Sequence, residues 1–175
     1  MHVLLFDVIE TLLDLRALDP HFEAVFGASA VRQQWFQQML QSAFVATVTD
    51  TYRDFGELGR AALQMTAQRN GLDLSQEQQQ RILGAVRQLP AHDDVHDGLT
   101  RLRGAGFRMA ALTNSTAEVA EGQLEFAGLR DLFEQVLSAD AAKRLKPARE
   151  AYQMAAQRLG IDPAICAWSP HTPGT

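Results

Sequence analysis

Val3-Leu4-Leu5-Phe6 is an unbroken apolar run that ends at Asp7 and continues as Val8-Ile9-Glu10-Thr11-Leu12. A short apolar run ending in turn chemistry predicts a strand buried on both faces of a parallel sheet. The pattern then changes period. Between Val31 and Val48, apolar residues recur at helical spacing at Phe36, Leu40, Phe44 and Val48, with Trp35 and Met39 beside them. Phe55, Leu58, Ala62 and Met65 repeat that spacing up to Asn70-Gly71. Ser75-x-x-Gln78 has the form of a capping box. It opens a third helix with Ile82, Val86 and Leu89 on one face, stopped at Pro90. No strand signal interrupts this stretch. Its glutamines (Gln33, Gln34, Gln37, Gln38, Gln76, Gln78, Gln79 and Gln80) read as solvated helix faces.

From His92 onward, helices and strands alternate. Val95, Leu99 and Leu102 make a helix face, ended by Gly104 and Gly106. Phe107 to Asn114 predicts the second strand. Ser115-x-x-Glu118 reads as the cap of a helix with Ala120, Leu124 and Ala127 on its face, closed by Gly128. Phe133 to Ser138 predicts the third strand. Pro147 suits the first turn of a helix that carries Tyr152, Ala156 and Leu159 and stops at Gly160. Ala164 to Trp168 predicts a fourth strand. Strands alternating with helices imply crossover units and a parallel sheet. The expected fold is an α/β core split by a helical insertion.

Composition narrows the class. The chain has 175 residues, 46% of them hydrophobic, which argues for a packed core and against disorder. Its net charge of −5 carries no electrostatic footprint for nucleic acid. The basic residues are scattered apart from Lys143-Arg144-Leu145-Lys146. The one cysteine, Cys166, rules out an internal disulfide and a Cys-rich zinc site, and reads as a small hydrophobe in a late strand. No signal-peptide pattern and no run of about 18 apolar residues is read, so no membrane partner is expected and the cytoplasm is the default.

Candidate chemistry gathers where strands end. In open α/β sheets, ligands bind beyond the carboxyl ends of the strands. Asp7 stands there, with the Thr11 hydroxyl near it in sequence. A carboxylate so placed either caps the turn or attacks an electrophile to form an ester. Thr113-Asn114-Ser115 closes the second strand with hydroxyl and amide groups suited to an anion, or to plain capping. Lys146 precedes Pro147, and Tyr152 lies six residues on. Singly, these read equally as a surface charge and a core residue.

In this order, the motifs resemble those of the haloacid dehalogenase (HAD) superfamily: Phe6-Asp7 through Thr11, Leu112 through Ser115, and Lys146-Pro147 with Tyr152. The resemblance is nearest to the type II L-2-haloacid dehalogenases and spans nearly the whole chain. It implies an α/β, HAD-like Rossmannoid parallel-sheet core over residues 1–15 and 91–175, with an inserted helical C1-type cap over 16–90. It also implies roles. Asp7 would attack the substrate carbon and displace halide, and water would hydrolyse the ester. Lys146 would balance the charge of Asp7. Thr11, Thr113 and Asn114 would orient Asp7 and bind the substrate carboxylate, with Tyr152 in support. A small-molecule substrate follows, with no metal and no cofactor. A homodimer would match the family, and the apolar residues of the insertion leave room for one.

Several positions depart from the pattern. Phosphate-transferring members carry a second aspartate two residues after the nucleophile; here Ile9 stands there. A departing oxygen then has no evident proton donor, whereas a departing halide needs none. The dehalogenases place an aromatic residue and a glycine where this chain has Ile9 and Glu10, and a halide-receiving arginine where it has Phe36. Phe36 can wall an apolar pocket but cannot pair with an anion; Arg32 and Arg53 are the candidate substitutes. The acidic fourth motif is absent. Trp168 to Thr175 shows no family pattern, but shifting the frame by one nucleotide lets all eight codons encode Leu-Val-Ala-Ala-His-Thr-Trp-Asp, which resembles that motif. A frameshifted gene is the reading this suggests. The expected function is hydrolysis through an aspartyl ester, as dehalogenation of a short L-2-haloacid. The alternatives are a Mg²⁺-dependent phosphatase of the same fold and a truncated, inactive chain with a binding or scaffold role.

Overall fold

The computed structural model describes residues 3–162. The expected fourth strand, Cys166 and the Trp168–Thr175 tail lie outside the described residues. Three parallel strands, β1 (Val3–Phe6), β2 (Arg108–Thr113) and β3 (Gln135–Ser138), form one sheet in the order β1-β2-β3. Phe6 pairs with Ala111 and Thr113 with Ser138, so the three carboxyl ends lie at one edge of the sheet. β2 is buried from Met109 to Thr113, as a central strand with both faces covered should be. β1 is not buried as its apolar run predicts. All four of its residues are half-buried, because β1 borders the sheet among the described residues.

Seven helices accompany the sheet among the described residues: α1 (Asp19–Phe26), α2 (Val31–Val48), α3 (Phe55–Arg69), α4 (Gln76–Ala85), α5 (Val95–Gly104), α6 (Ala117–Phe126) and α7 (Arg149–Leu159). No helix among the described residues is long and apolar enough to cross a membrane. α1 is an element the apolar spacing does not mark. Its signals are local: Pro20 in the first turn and Gly27, at φ 71°, past the last. The capping box at Ser75 and Gln78 is present with both reciprocal bonds. The box at Ser115 is not. Ser115 is buried, Thr116 is the residue before α6, and the Ser115 carbonyl accepts from Ser138 Oγ at 2.6 Å. Pro147 also sits outside its helix. A turn closed by the Ala148 amide donating to the Leu145 carbonyl precedes α7.

α2 buries a different stripe from the expected one. Val31, Trp35, Met39 and Ala43 face the core, whereas Leu40, Phe44 and Val48 are 44%, 55% and 68% exposed. The sequence holds two apolar stripes on this helix, and α3 selects between them. The indole Nε1 of Trp35 donates to the Gly59 carbonyl at 2.9 Å. A Cβ on Gly59 would stand 2.9 Å from Met39 Sδ, so a larger residue there would have to displace the Met39 side chain. Gln38 is buried with this stripe rather than solvated.

One continuous hydrophobic cluster runs from Val8, Leu12 and Leu13 through Phe22, Trp35 and Leu63 to Leu99, Leu124 and Leu129. The helices between Leu15 and Gln88 therefore share a core with the sheet. The chain leaves and returns side by side. The Asp14 amide donates to the Pro90 carbonyl, and the His92 amide to the Leu12 carbonyl. Leu13 and Ala91 form an antiparallel bridge between them.

Candidate active site

Asp7 follows β1 directly, and Lys146 reaches it from the turn before α7. Lys146 Nζ donates to Asp7 Oδ1 at 2.5 Å and to the Leu112 carbonyl at 2.6 Å. The Val8 amide donates to the same Oδ1 at 2.8 Å. Two charge-assisted bonds thus hold one carboxylate oxygen. Oδ2 takes no hydrogen bond from a described residue. The ammonium is 14% exposed and the carboxylate 53%, so the cation is held inside while the anion faces out.

Asn114 acts on Lys146. Its Oδ1 accepts from the Lys146 amide at 2.7 Å, and its Nδ2 donates to the Lys146 carbonyl at 3.4 Å. This buried amide therefore clamps the backbone that carries the ammonium, in place of the contact to Asp7 that the resemblance implies. Thr113 is 2% exposed, and its Oγ1 accepts from the Ser115 amide at 3.2 Å. It shapes the turn after β2. Tyr152 is half-buried against the cluster of Ala110, Leu112, Leu137, Ala155 and Leu159. Burial, with the Asp7 charge, raises the pKa of its phenol, so the hydroxyl stays protonated at neutral pH. Thr11 is exposed and makes no side-chain hydrogen bond to a described residue. Glu10 takes a left-handed backbone at φ 66°, and its Oε1 accepts from the Leu15 amide at 3.3 Å.

A cleft of about 820 Å³ opens between α3, α4 and the start of α6. Ile9, Trp35 and Met39 line its apolar part, with Ser115 and Thr116 on the sheet side. Ile9 brings the cleft to within two residues of Asp7. Phe36 is not part of this lining; it packs partly buried beside Trp35. Gln76, Gln79 and Gln80 border the cleft; Gln76 and Gln80 are exposed, as a solvated helix face requires, and Gln79 is partly buried. Arg32, a candidate for the missing cation, is buried and paired with Asp19 at 2.5 Å. Arg53, the other candidate, borders a separate small pocket with Asp50, Tyr52 and Arg144. In the short basic run, Lys143 pairs with Asp140, Arg144 with Asp50 and Lys146 with Asp7, so each cation meets a carboxylate. No group of three or more His, Cys, Asp or Glu side chains able to hold a metal occurs among the described residues.

An aspartate and a lysine joined at the carboxyl ends of parallel strands, beside a helical wall, is the arrangement the motif order implies. The family model for haloacid dehalogenase-like hydrolases matches residues 1–168, and the chain belongs to that family. An (S)-2-haloacid dehalogenase of Pseudomonas sp. strain CBS-3 is 32% identical over 92% of this chain and 72% of its own length. The enzyme of Pseudomonas sp. strain YL is 28% identical, over 90% of this chain and 68% of its own. The L-2-haloacid dehalogenase of Xanthobacter autotrophicus, solved with chloropropionic acid covalently bound, superimposes with a TM-score of 0.86 at 25% identity. That match covers 93% of this chain and 66% of the other. The chain spans about two-thirds of the length of these relatives.

Proposed function

We propose that this chain is built for hydrolysis through an aspartyl ester, with a short L-2-haloacid as substrate and the 2-hydroxy acid as product. The observation that carries the reading is Asp7, held through Oδ1 by Lys146 and the Val8 amide, with Oδ2 left without a donor. An oxygen free of hydrogen bonds is the stronger nucleophile. Oδ2 attacks C2 of the haloacid as the carbon–halogen bond breaks, and the halide leaves with the bonding pair. No proton donor is needed for that departure. Water then adds at Asp7 Cγ, and the ester's C2–O bond stays intact as the hydroxy acid leaves. Lys146 beside Oδ1 stabilises the negative charge that gathers there in this second step. Helices over residues 16–90 serve as the cap that excludes water from the cleft, and a cytoplasmic small-molecule enzyme is the setting. The exposed Leu40, Phe44 and Val48 support a homodimer through α2.

The test is chloride release from L-2-chloropropionate by the full chain. The expected product is D-lactate, because displacement inverts C2 and the ester is cleaved at Cγ. EDTA is expected to leave the rate unchanged. Phosphate release from p-nitrophenyl phosphate that EDTA abolishes, with no chloride release, would establish the phosphatase alternative. Neither activity would leave only a binding or scaffold role.

The same reading gives Asn114 a measurable effect. Asn114→Ala removes both bonds that hold the Lys146 backbone. Losing a buried amide's partners costs about 1–3 kcal/mol. Displacing the ammonium lowers turnover on the order of 100-fold. Urea denaturation and chloride release measure the two effects separately.

A further inference from the structure

If the cleft that Ile9 lines is where the haloacid meets Asp7, it must accept an anion next to a carboxylate. A 2-haloacid is ionised at neutral pH, and Lys146 is already committed to Asp7 and to the Leu112 carbonyl. A second cation is needed to offset the repulsion, and few described residues qualify. Arg32 is paired with Asp19, and Arg53 borders a different pocket. Two cations line the cleft itself, Arg60 and Arg87. Arg87 pairs with Glu118 at 3.2 Å. Arg60, exposed on α3, makes no ion pair with a described residue, although Glu57 lies one turn before it on the same helix. Asp54 and Glu57 line the same cleft, and Asp54 is engaged in accepting from the Glu57 amide at 2.9 Å.

We propose that Arg60 receives the carboxylate of the substrate on the helical wall of the cleft. The inference rests on the reading of this cleft as the place where a haloacid meets Asp7. It makes Arg60 a substrate-binding residue. The planar guanidinium suits a carboxylate through two parallel N–H donors. The apolar floor of Ile9, Trp35 and Met39 is left for the alkyl and halogen portion. The cleft's volume lies within the roughly 300–1,000 Å³ of small-molecule sites, so acids with longer side chains than propionate fit as well.

The experiment is calorimetric titration of the full chain with propionate, an unreactive carboxylate, in the wild type, Arg60→Gln and Arg60→Lys. Arg60→Gln is expected to bind propionate at least about tenfold more weakly, and Arg60→Lys, which keeps the charge but not the two parallel donors, to recover only part of the loss. Unchanged melting temperatures show that the fold is kept. In chloride release, Arg60→Gln is expected to raise KM about tenfold with kcat nearly unchanged, as loss of uniform binding requires. Equal propionate affinity in Arg60→Gln, or no propionate binding by the wild type, overturns the proposal. Arg60-dependent propionate binding without chloride release would uphold the anion site while the dehalogenation reading fails. Chloride release with KM and propionate affinity unmoved in Arg60→Gln would do the reverse.

Discussion

Asp7→Asn is expected to release no halide from L-2-chloropropionate and to accumulate no ester. The amide has no anionic oxygen to displace the halide, and among the described residues no other carboxylate stands in contact with Lys146. Loss of a nucleophile on which the whole mechanism depends lowers turnover on the order of 10⁴-fold or more. The substitution keeps the shape of the side chain, so the Val8 amide and Lys146 still find an oxygen at the Oδ1 position. The fold therefore survives, and a thermal melt beside the assay separates lost chemistry from lost structure. Intact-protein mass spectrometry after mixing with substrate supplies the second check. Wild type stopped early carries the added mass of the substrate's 1-carboxyethyl group, and Asp7→Asn carries none. A single turnover in ¹⁸O-water labels Asp7 rather than the product, because water attacks Cγ. Activity retained in Asp7→Asn would show that another group attacks the substrate.

Trp35→Ala is expected to have the largest effect on stability, a loss of about 3–5 kcal/mol. The indole is 1% exposed and packs on Phe22 with ring centroids 5.5 Å apart. It also joins α2 to α3 through the bond to the Gly59 carbonyl. Alanine leaves a cavity that Gly59, without a side chain, cannot fill, and it removes the indole's bond to the Gly59 carbonyl. In a chain of this size, the melting temperature falls on the order of 10 °C. Trp35→Phe separates the two contributions: it keeps most of the apolar area and removes the donor, at a cost of about 1–2 kcal/mol. Urea denaturation of both variants measures the difference. Because Trp35 also lines the cleft, Trp35→Ala is expected to weaken substrate binding even where the chain remains folded.

The reading of α2 and of the site shows how far the residues alone carry. The order of elements from β1 to α7 follows from local periods of two and 3.6, and from Pro and Gly at helix ends. These are properties of neighbouring residues, so they are legible along the chain. The motif order placed Asp7 and Lys146 together although 139 positions separate them, and the structure joins them by a 2.5 Å bond. Which stripe of α2 is buried was not legible. Both Trp35-Met39 and Leu40-Phe44-Val48 have helical spacing, and the choice depends on α3 presenting Gly59 to one of them. Ser115 has the spacing of a capping residue, yet its carbonyl accepts from the Ser138 hydroxyl at the end of β3. That Asn114 holds the Lys146 backbone was not legible either, because the turn before α7 brings that backbone against its amide. The same holds for the cations. The sequence shows that Phe36 is not one, but not that Asp19 occupies Arg32 or that Arg60 faces the cleft. The fold class and the pairing of Asp7 with Lys146 were legible from the residues alone, because these rest on local patterning and motif order. The tertiary structure alone decided which polar groups are already paired and which remain for a ligand, because pairing depends on distances between residues far apart in the chain.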